Sequence, residues 1–222
     1  MLKKRIVGVI TVRDGLAVQS FHYQRYFPIG NPVHLADNLN RWGVDEILVL
    51  DIQRSKRGLG PDLDLLKAIS SSKVNTPLIY GGGIHSMEDA VAAVHAGADR
   101  VVLDSVLHCD TSVVVDISNY LGAQAVIAAF PLSLREDGSL AWYDHVRGND
   151  HIMSETVLDM LRENVVSEIL LIDRTHDGVP GTFDNTLVDR FPVWLPIITF
   201  GGLSIRQELQ LVIDHPRVVA AA

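Results

Sequence analysis

The chain has 222 residues, of which 47% are hydrophobic, and a formal net charge of −8. This length fits one large α/β domain or two small ones. The acidic balance argues against a general nucleic-acid surface, and no apolar run reaches the length of a membrane span or a signal-peptide core. The lone Cys109 excludes a disulfide framework and a cysteine-rich metal site. We therefore expect a cytoplasmic protein without nucleic-acid or membrane partners.

Apolar runs separated by glycine, proline and polar turns predict strands that alternate with helices along the chain. The predicted strands are 5–12, 45–52, 76–80, 100–103, 124–130, 168–173, 196–200 and 217–222. The clearest predicted helices are 32–42, 61–70, 87–95 and 154–164. Segment 19–29 and the segment around Trp142 are predicted to be loops.

The two halves of the sequence resemble each other. Segment 45–51 matches 167–173, the glycines at 82–83 match those at 201–202, and 99–102 matches 216–219. Each pair is separated by about 120 positions, which is typical of four β/α units copied once.

Eight such units with almost continuously apolar strands indicate a closed parallel (β/α)8 barrel, the TIM barrel, with a twofold internal repeat. We expect a single domain over 1–222, built from half-barrels of approximately 1–122 and 123–222. An open doubly wound sheet is the alternative. The duplication favours closure, because each half has an unpaired edge that the other half covers.

Two glycine-rich turns follow the third and seventh predicted strands, where a parallel barrel places its active site. Their backbone N–H groups, together with the N-terminus of the next helix, can bind an anion. Gly82-Gly83 and Gly201-Gly202 therefore predict two phosphate sites across one mouth, and a substrate with a phosphate at each end. The alternative is that both turns only permit tight packing.

Several motifs together identify a family resemblance. They are 12–15 (VRDG), 43–52 (GVDEILVLDI), 81–89 (GGGIHSMED), 96–101 (AGADRV) and Asp177-Gly178. They resemble the cyclase subunit family of imidazole glycerol phosphate synthase (HisF), and the resemblance covers the whole chain nearly without gaps. That family is a twofold-repeated barrel, which takes ammonia from a glutaminase (HisH-like) subunit and uses it on a bisphosphorylated ribonucleotide. The family continues beyond the eighth strand, in which this chain ends.

The resemblance implies roles for particular residues. Asp51 and Asp177 match catalytic positions, and no cofactor is implied. A metal site is not expected, because the sequence has no histidine pair at ligand spacing. The residues implied to bind phosphate are Gly82, Gly83, Asp104, Ser105, Gly178, Gly201 and Gly202.

The sequence also departs from the family pattern. The two catalytic aspartates of the family align with Thr11 and Pro131, and neither residue can exchange a proton near neutral pH. Gln19 replaces a lysine, and Asp104 stands where the family usually has an asparagine beside a phosphate. The ordinary histidine-pathway cyclization and the related aminoaldose isomerization are therefore both in doubt.

Four charged residues begin predicted strands one, two, four and six: Arg5, Glu46, Arg100 and Glu168. If they point inward, they form a ring of alternating charge at the N-terminal end of the barrel. In the resembling family the matching residues gate the entry of ammonia from a glutaminase docked on that face. The alternative is a solvated ring of ion pairs that contributes little. We expect Ile47, Val49 and Ile169 to line the barrel interior above this ring.

Three functional hypotheses follow. The first is an ammonia-conducting glutamine amidotransferase subunit with a phosphorylated substrate. Loops 25–32 and 55–61 resemble those of paralogues from surface-polysaccharide gene clusters, which act in the synthesis of amidino sugars. The second hypothesis is a histidine-biosynthetic lyase with acids from other positions. The third is a non-catalytic scaffold that activates a glutaminase.

Overall fold

A computed structural model of the protein describes residues 3–203 and 206–222. Ser204, which ends the second predicted glycine segment, lies outside the described residues. The strands are β1 (Arg5–Arg13), β2 (Leu16–Phe21), β3 (Arg25–Gly30), β4 (Glu46–Asp51), β5 (Leu78–Gly81), β6 (Arg100–Leu103), β7 (Val126–Leu134), β8 (Leu140–Asp144), β9 (Asn149–His151), β10 (Glu168–Asp173), β11 (Ile197–Phe200) and β12 (Val218–Ala221). The α-helices are α1 (Pro32–Trp42), α2 (Leu63–Ser70), α3 (Met87–His95), α4 (Thr111–Leu121), α5 (Glu155–Arg162), α6 (Thr186–Arg190) and α7 (Arg206–Asp214).

Eight parallel strands close into a barrel. Their order is β1, β4, β5, β6, β7, β10, β11 and β12, and each strand pairs with the next. The barrel closes where β12 pairs with β1, with Ala220 opposite Arg5 and Ala221 opposite Ile6. The predicted (β/α)8 barrel is therefore confirmed, and the open sheet is excluded.

The strand residues alternate between the barrel lumen and an outer layer under the helices. The apolar residues that fill the lumen are Val7, Leu48, Ile79, Val102, Ile127, Ala129, Leu170, Ile172, Ile198 and Ala220. Ile47, Val49 and Ile169 instead pack in the outer layer with helix residues such as Leu66 and Ile117. The expectation that these three line the lumen was wrong. Because the period of a strand is two, an inward Glu46 sends Leu48 inward and its odd-numbered neighbours outward.

Two antiparallel arms extend the barrel at its C-terminal end. β2 and β3 form a hairpin joined to β1, with Ala17 opposite Val12. β8 and β9 continue from β7, with Trp142 opposite Leu132 and His151. Both regions were predicted as loops, which was wrong. β1 and β7 each have nine residues and run past the barrel wall, so their free edges take antiparallel partners.

The helix ends follow local signals. Asn31 caps α1 by accepting hydrogen bonds from the N–H groups of Val33 and His34, and Ser86 caps α3 through the N–H of Asp89. These caps fix where each helix leaves the preceding strand and thus where the mouth loops lie. In the described ranges, no helix is both long and apolar enough to cross a membrane.

Candidate active site at the barrel mouth

A cavity of about 260 Å³ opens at the C-terminal ends of the barrel strands. Its apolar lining includes Leu50, Val102, Ala129, Ile172 and Phe200. The predicted site residues that it brings together are Thr11, Asp51, Gly82, Gly83, Asp104, Ser105 and Asp177. Those that do not line it are Pro131, Gly178, Gly201 and Gly202. The first glycine turn and the three predicted aspartates therefore line the cavity, whereas the second glycine turn does not.

Asp51 ends β4 with a nearly free carboxyl group. It is 7% exposed, and its Oδ1 accepts one long hydrogen bond of 3.4 Å from the N–H of Gln53. Burial raises the pKa of Asp51 to about 6, because the charged form loses hydration. Asp51 can therefore exchange a proton close to neutral pH, as a general acid or base requires.

Asp173 is the repeat counterpart of Asp51, and its carboxylate is fully used by the loop after β10. It accepts hydrogen bonds from the N–H groups of His176 at 3.1 Å and Asp184 at 2.9 Å, and lies 2.7 Å from the His176 ring. One acid of the duplicated pair thus faces the cavity, while the other organises a loop.

Asp177 connects the loop after β10 to the β2–β3 hairpin. Its carboxylate accepts hydrogen bonds from Ser20 Oγ at 2.6 Å and from the N–H of Tyr23 at 3.2 Å. Tyr23 reaches over the lumen and meets Tyr143 edge-on, with ring centroids 6.0 Å apart. Burial, followed by the charges of Asp177 and Asp104, raises the pKa of the Tyr23 hydroxyl well above its usual value. Asp177 therefore holds the hairpin across the mouth.

The first glycine turn is required by packing and also forms part of the cavity wall. Gly82 has φ +138°, and a Cβ there would lie 2.5 Å from the carbonyl oxygen of Asp51. The N–H of Gly83 donates to Ser55 Oγ at 3.2 Å, and Ser105 Oγ donates to the same oxygen at 3.0 Å. An anion that uses the Gly83 N–H must displace the Ser55 hydroxyl.

The second glycine turn packs in the same way, but under a loop. A Cβ on Gly201 would lie 2.7 Å from the carbonyl oxygen of Asp173, so this turn closes on its strand as Gly82 does on Asp51. The Gly202 carbonyl accepts hydrogen bonds from the N–H groups of Gly181 at 2.7 Å and Thr182 at 3.1 Å. Tight packing accounts for the glycines of this turn.

His145 is a cavity residue to which the sequence analysis gave no role. Its Nδ1 lies 3.0 Å from Asp104 Oδ2. Burial disfavours the imidazolium, yet the hydrogen bond and charge of Asp104 outweigh it and raise the pKa of His145. Asp104 at the mouth thus has His145 as its partner. In the sequence, the position of His145 directly after the aromatic segment Trp142-Tyr143-Asp144 could have marked it as a candidate site residue.

Two cationic side chains also line the cavity. They belong to Arg13, whose guanidinium lies 4.5 Å from the centre of the Tyr26 ring, and to Lys56. Neither was among the predicted site residues. They are the groups of this acid-lined mouth that can attract an anion, beside Asp51, Asp104 and Asp177.

The four predicted charges at the other end of the barrel form a ring, which we call the charge ring. Arg5 lies 3.0 Å from Glu46 and 2.6 Å from Glu168, and Arg100 lies 2.8 Å from Glu168 and 3.5 Å from Glu46. Because β1 and β10 are not neighbouring strands, the Arg5–Glu168 pair spans the lumen. Burial raises the pKa of Glu46. The four side chains therefore point inward and close the N-terminal end.

The fold and the mouth define a (β/α)8-barrel protein with an acid-lined cavity at its strand C-termini, where barrel enzymes hold their substrates. The sequence matches the family model described as histidine biosynthesis protein over residues 5–222. The chain therefore belongs to the histidine biosynthesis protein family, as a HisF-like member.

Individual relatives agree with this assignment. The chain is 33% identical over 207 residues to the imidazole glycerol phosphate synthase subunit HisF of Staphylococcus carnosus, covering 91% of this chain and 81% of that protein. It is 29% identical over 226 residues to the HisF subunit of Streptococcus sanguinis, covering 100% of this chain and 88% of that protein. The HisF subunit of Phocaeicola vulgatus is 30% identical over 217 residues, covering 95% and 84% respectively.

Proposed function

We propose that this chain is the ammonia-using subunit of a glutamine amidotransferase that acts on a phosphorylated small molecule at the barrel mouth. A HisH-like glutaminase docks on the N-terminal face and releases ammonia into the lumen. The charge ring is the observation that carries this proposal. It closes the lumen with ion pairs, which a docked partner can exchange for its own contacts at small cost, since such partly exposed pairs contribute about 1 kcal/mol or less each.

The lumen between the charge ring and the mouth supports the passage of a neutral molecule. Its apolar lining, which includes Val7, Leu48 and Leu170, disfavours water and cations. Neutral ammonia carries no charge to desolvate and therefore meets a smaller barrier. The mouth cavity at the far end holds Arg13, Lys56 and Ser105, which suit a phosphate group.

The replaced acids support a reaction other than histidine-pathway cyclization. Thr11 lines the cavity and Pro131 lies on β7, and the family resemblance matches these two residues to the family's catalytic aspartates. Because the four charged residues of the ring are present and the two family acids are expected to be absent, we assign the chain to amidino-sugar synthesis for surface polysaccharides. Asp51 and Asp177 then carry the acid–base steps, with His145 beside them.

Reconstitution with a glutaminase encoded in the same gene neighbourhood tests this proposal. We expect glutamine hydrolysis to be stimulated by this chain, and ammonia and glutamine each to support turnover of a phosphorylated sugar or nucleotide-sugar acceptor. A chain that stimulates hydrolysis but never binds an acceptor is instead a scaffold. A chain that leaves every neighbouring glutaminase unaffected contradicts the proposal.

A histidine-biosynthetic cyclase is the second candidate. The observation that favours it is the pair of Asp51 and His145 in one cavity, because a carboxyl group with a pKa of about 6 and an imidazole can act as acid and base in place of the family's aspartates. The relatives named imidazole glycerol phosphate synthase subunit HisF also support it. Gene neighbourhood separates the two candidates, since a histidine operon and a polysaccharide cluster differ in every flanking enzyme.

A further inference from the structure

We propose that His108, Asp144 and His151 form a binding site for a divalent transition-metal ion such as Zn²⁺. His108 ends the short 3-10 turn after β6, Asp144 ends β8, and His151 ends β9. One ligand atom from each residue lies within 4.8 Å of the other two. Three residues separated by up to 43 positions in the chain thus converge on one point, between the barrel wall and the β8–β9 arm.

The donor set fits this class of ion. Two imidazoles and one carboxylate are ligands that Zn²⁺ and its neighbours in the first transition row accept, and a fourth position remains for water. Ligand atoms at about 2.1 Å from a metal lie roughly 3–4 Å apart. His151 Nε2 already lies 3.9 Å from Asp144 Oδ2, so only the wider separations, up to 4.8 Å, must close by about 1 Å. His151 is partly exposed and can supply that movement.

The state of His108 is independent support. Its side chain is 3% exposed, and its Nε2 is buried without a hydrogen-bond partner among the described residues. The nearest carboxylate oxygen, Asp104 Oδ1, is 3.8 Å away and is likewise buried without a hydrogen-bond partner among the described residues. The ring is held flat against Trp142, with centroids 3.7 Å apart. Buried polar groups are almost always satisfied, and a metal ion satisfies an imidazole that no protein group reaches.

Two side chains compete with a metal at this site: Asn149, whose Oδ1 lies 3.2 Å from His151 Nε2, and Arg147. Arg147 Nη1 lies 2.7 Å from Asp144 Oδ2, and the other carboxylate oxygen accepts the N–H groups of Val146 and Arg147. The Arg147 side chain is 52% exposed, so it can turn into solvent when a cation takes Asp144 Oδ2. Removing this guanidinium is therefore expected to strengthen metal binding.

A bound metal would fasten the β8–β9 arm to the turn after β6. His145 follows Asp144 directly and pairs with Asp104, which lies four residues before His108. The metal would thus fix both partners of the His145–Asp104 pair at the edge of the mouth cavity. We infer a site that orders the arm, whether or not substrate is present.

The test titrates chelator-treated protein with Zn²⁺ by calorimetry and with Co²⁺ by visible absorption. We expect one saturable site, tetrahedral or five-coordinate Co²⁺ bands, and a higher unfolding temperature with Zn²⁺. His151→Ala, at a partly exposed position, is expected to weaken binding at least tenfold without unfolding the protein. His34→Ala removes an exposed histidine from α1 and is the matched control; it is expected to change nothing.

Further variants keep the proposal falsifiable. Arg147→Gln is expected to lower the Kd for Zn²⁺ several-fold, and His108→Gln to abolish the Co²⁺ bands. Circular dichroism verifies that each variant is folded. The proposal is overturned by the absence of saturable binding to the folded protein. It is also overturned if the affinity is unchanged in His151→Ala, or is lost in His34→Ala instead.

Discussion

Acidic residues at the mouth differ in how many hydrogen-bond partners the fold gives their carboxyl groups. Asp51 and Asp173 end matching strands, yet one has a single long hydrogen bond and the other has three partners. A group without partners keeps its chemistry available, and it weakens the fold for the same reason. For Asp51, both the acid–base reactivity and the free-energy cost of burying the carboxyl group can therefore be measured.

The pH dependence of stability measures the cost of burying Asp51. Its pKa is about 6 in the folded state against about 4 in an unfolded chain, so the folded state binds the proton more tightly. The contribution of Asp51 to the free energy of unfolding must then fall as pH rises from about 4 to 6, by up to about 3 kcal/mol. Asp51→Asn is expected to remove this fall and to be the more stable protein at pH 7.

Urea unfolding of both proteins between about pH 3 and 8 measures this difference. Below pH 4 both side chains are neutral, so the two proteins should converge there, which is the internal control. A difference that stays constant across the whole pH range would show that the carboxyl group is not the cause.

The proposed replacement of the family's two catalytic acids by Thr11 and Pro131 leads to a kinetic prediction. We expect the protein to make no imidazole glycerol phosphate at a useful rate, since general acid–base catalysis contributes about 10²–10⁴-fold per group. Thr11→Asp places a carboxyl group in the cavity, but Pro131 still occupies the partner position, so little activity should return. Ammonia-dependent assays with Thr11→Asn as the isosteric control measure this. Robust cyclization by the unaltered protein would refute the prediction.

At the scale of elements, the two glycine turns have the same packing role and different surroundings. Each turn closes on the carbonyl of the aspartate that ends the neighbouring strand. Only the first borders the cavity, and its Gly83 N–H is held by Ser55. The second lies under the loop that Asp173 organises. The repeated sequence thus produces a repeated turn, while the loops above decide what each turn can bind.

Phosphate titration tests the binding role of these turns. We expect inorganic phosphate to bind at Gly82-Gly83 with Ser105, and more weakly at Gly201-Gly202 with Gly178. Ser105→Ala should weaken the first site about fivefold, the effect of losing one hydrogen bond of about 1 kcal/mol. Calorimetry or ³¹P NMR measures it, with Ser118→Ala on α4 as a control outside the cavity. The absence of any phosphate affinity would leave packing as the only role of both turns.

The whole molecule separates an ionic end from a reactive end, with an apolar lumen between them. The charge ring and the mouth cavity lie at opposite ends of the same eight strands. An event at one end can reach the other only through the lumen, or through motion of the strands. This arrangement fits a barrel that receives a small molecule at one face and uses it at the other.

Arg5→Ala tests the coupling between the two ends. The change leaves Glu46 and Glu168 with Arg100 as their remaining ring partner, which should lower the stability by about 1–3 kcal/mol without unfolding the barrel. In the reconstituted complex we expect glutamine hydrolysis to exceed product formation, because ammonia escapes at the open ring. Arg41→Ala, which breaks the exposed i,i+4 pair with Asp37, is the control. Unchanged coupling in Arg5→Ala would make the ring purely structural.

The sequence by itself determined the features that local patterns specify. Apolar runs of strand length alternating with capped helices indicated the barrel, and the repeat indicated its closure. The four charges of the ring could be placed because each begins a strand, and parallel strands all begin at the same end of the barrel. These inferences hold because parallel strands, caps and glycine turns depend on residues that are close in the chain.

The tertiary structure decided what depends on distant contacts. Because Glu46 points into the lumen, Ile47 on the same strand points outward toward the helices, contrary to the prediction. The two arms form because β1 and β7 extend beyond the barrel wall, where their edges pair with β2 and β8. The cluster of His108, Asp144 and His151 has no local spacing signal. Antiparallel pairing of β8 with β9 brings Asp144 and His151 together, and His108 reaches them from the turn after β6, stacked on Trp142. Side-chain convergence of this kind depends on strand register, which the sequence specifies only through packing of the complete fold.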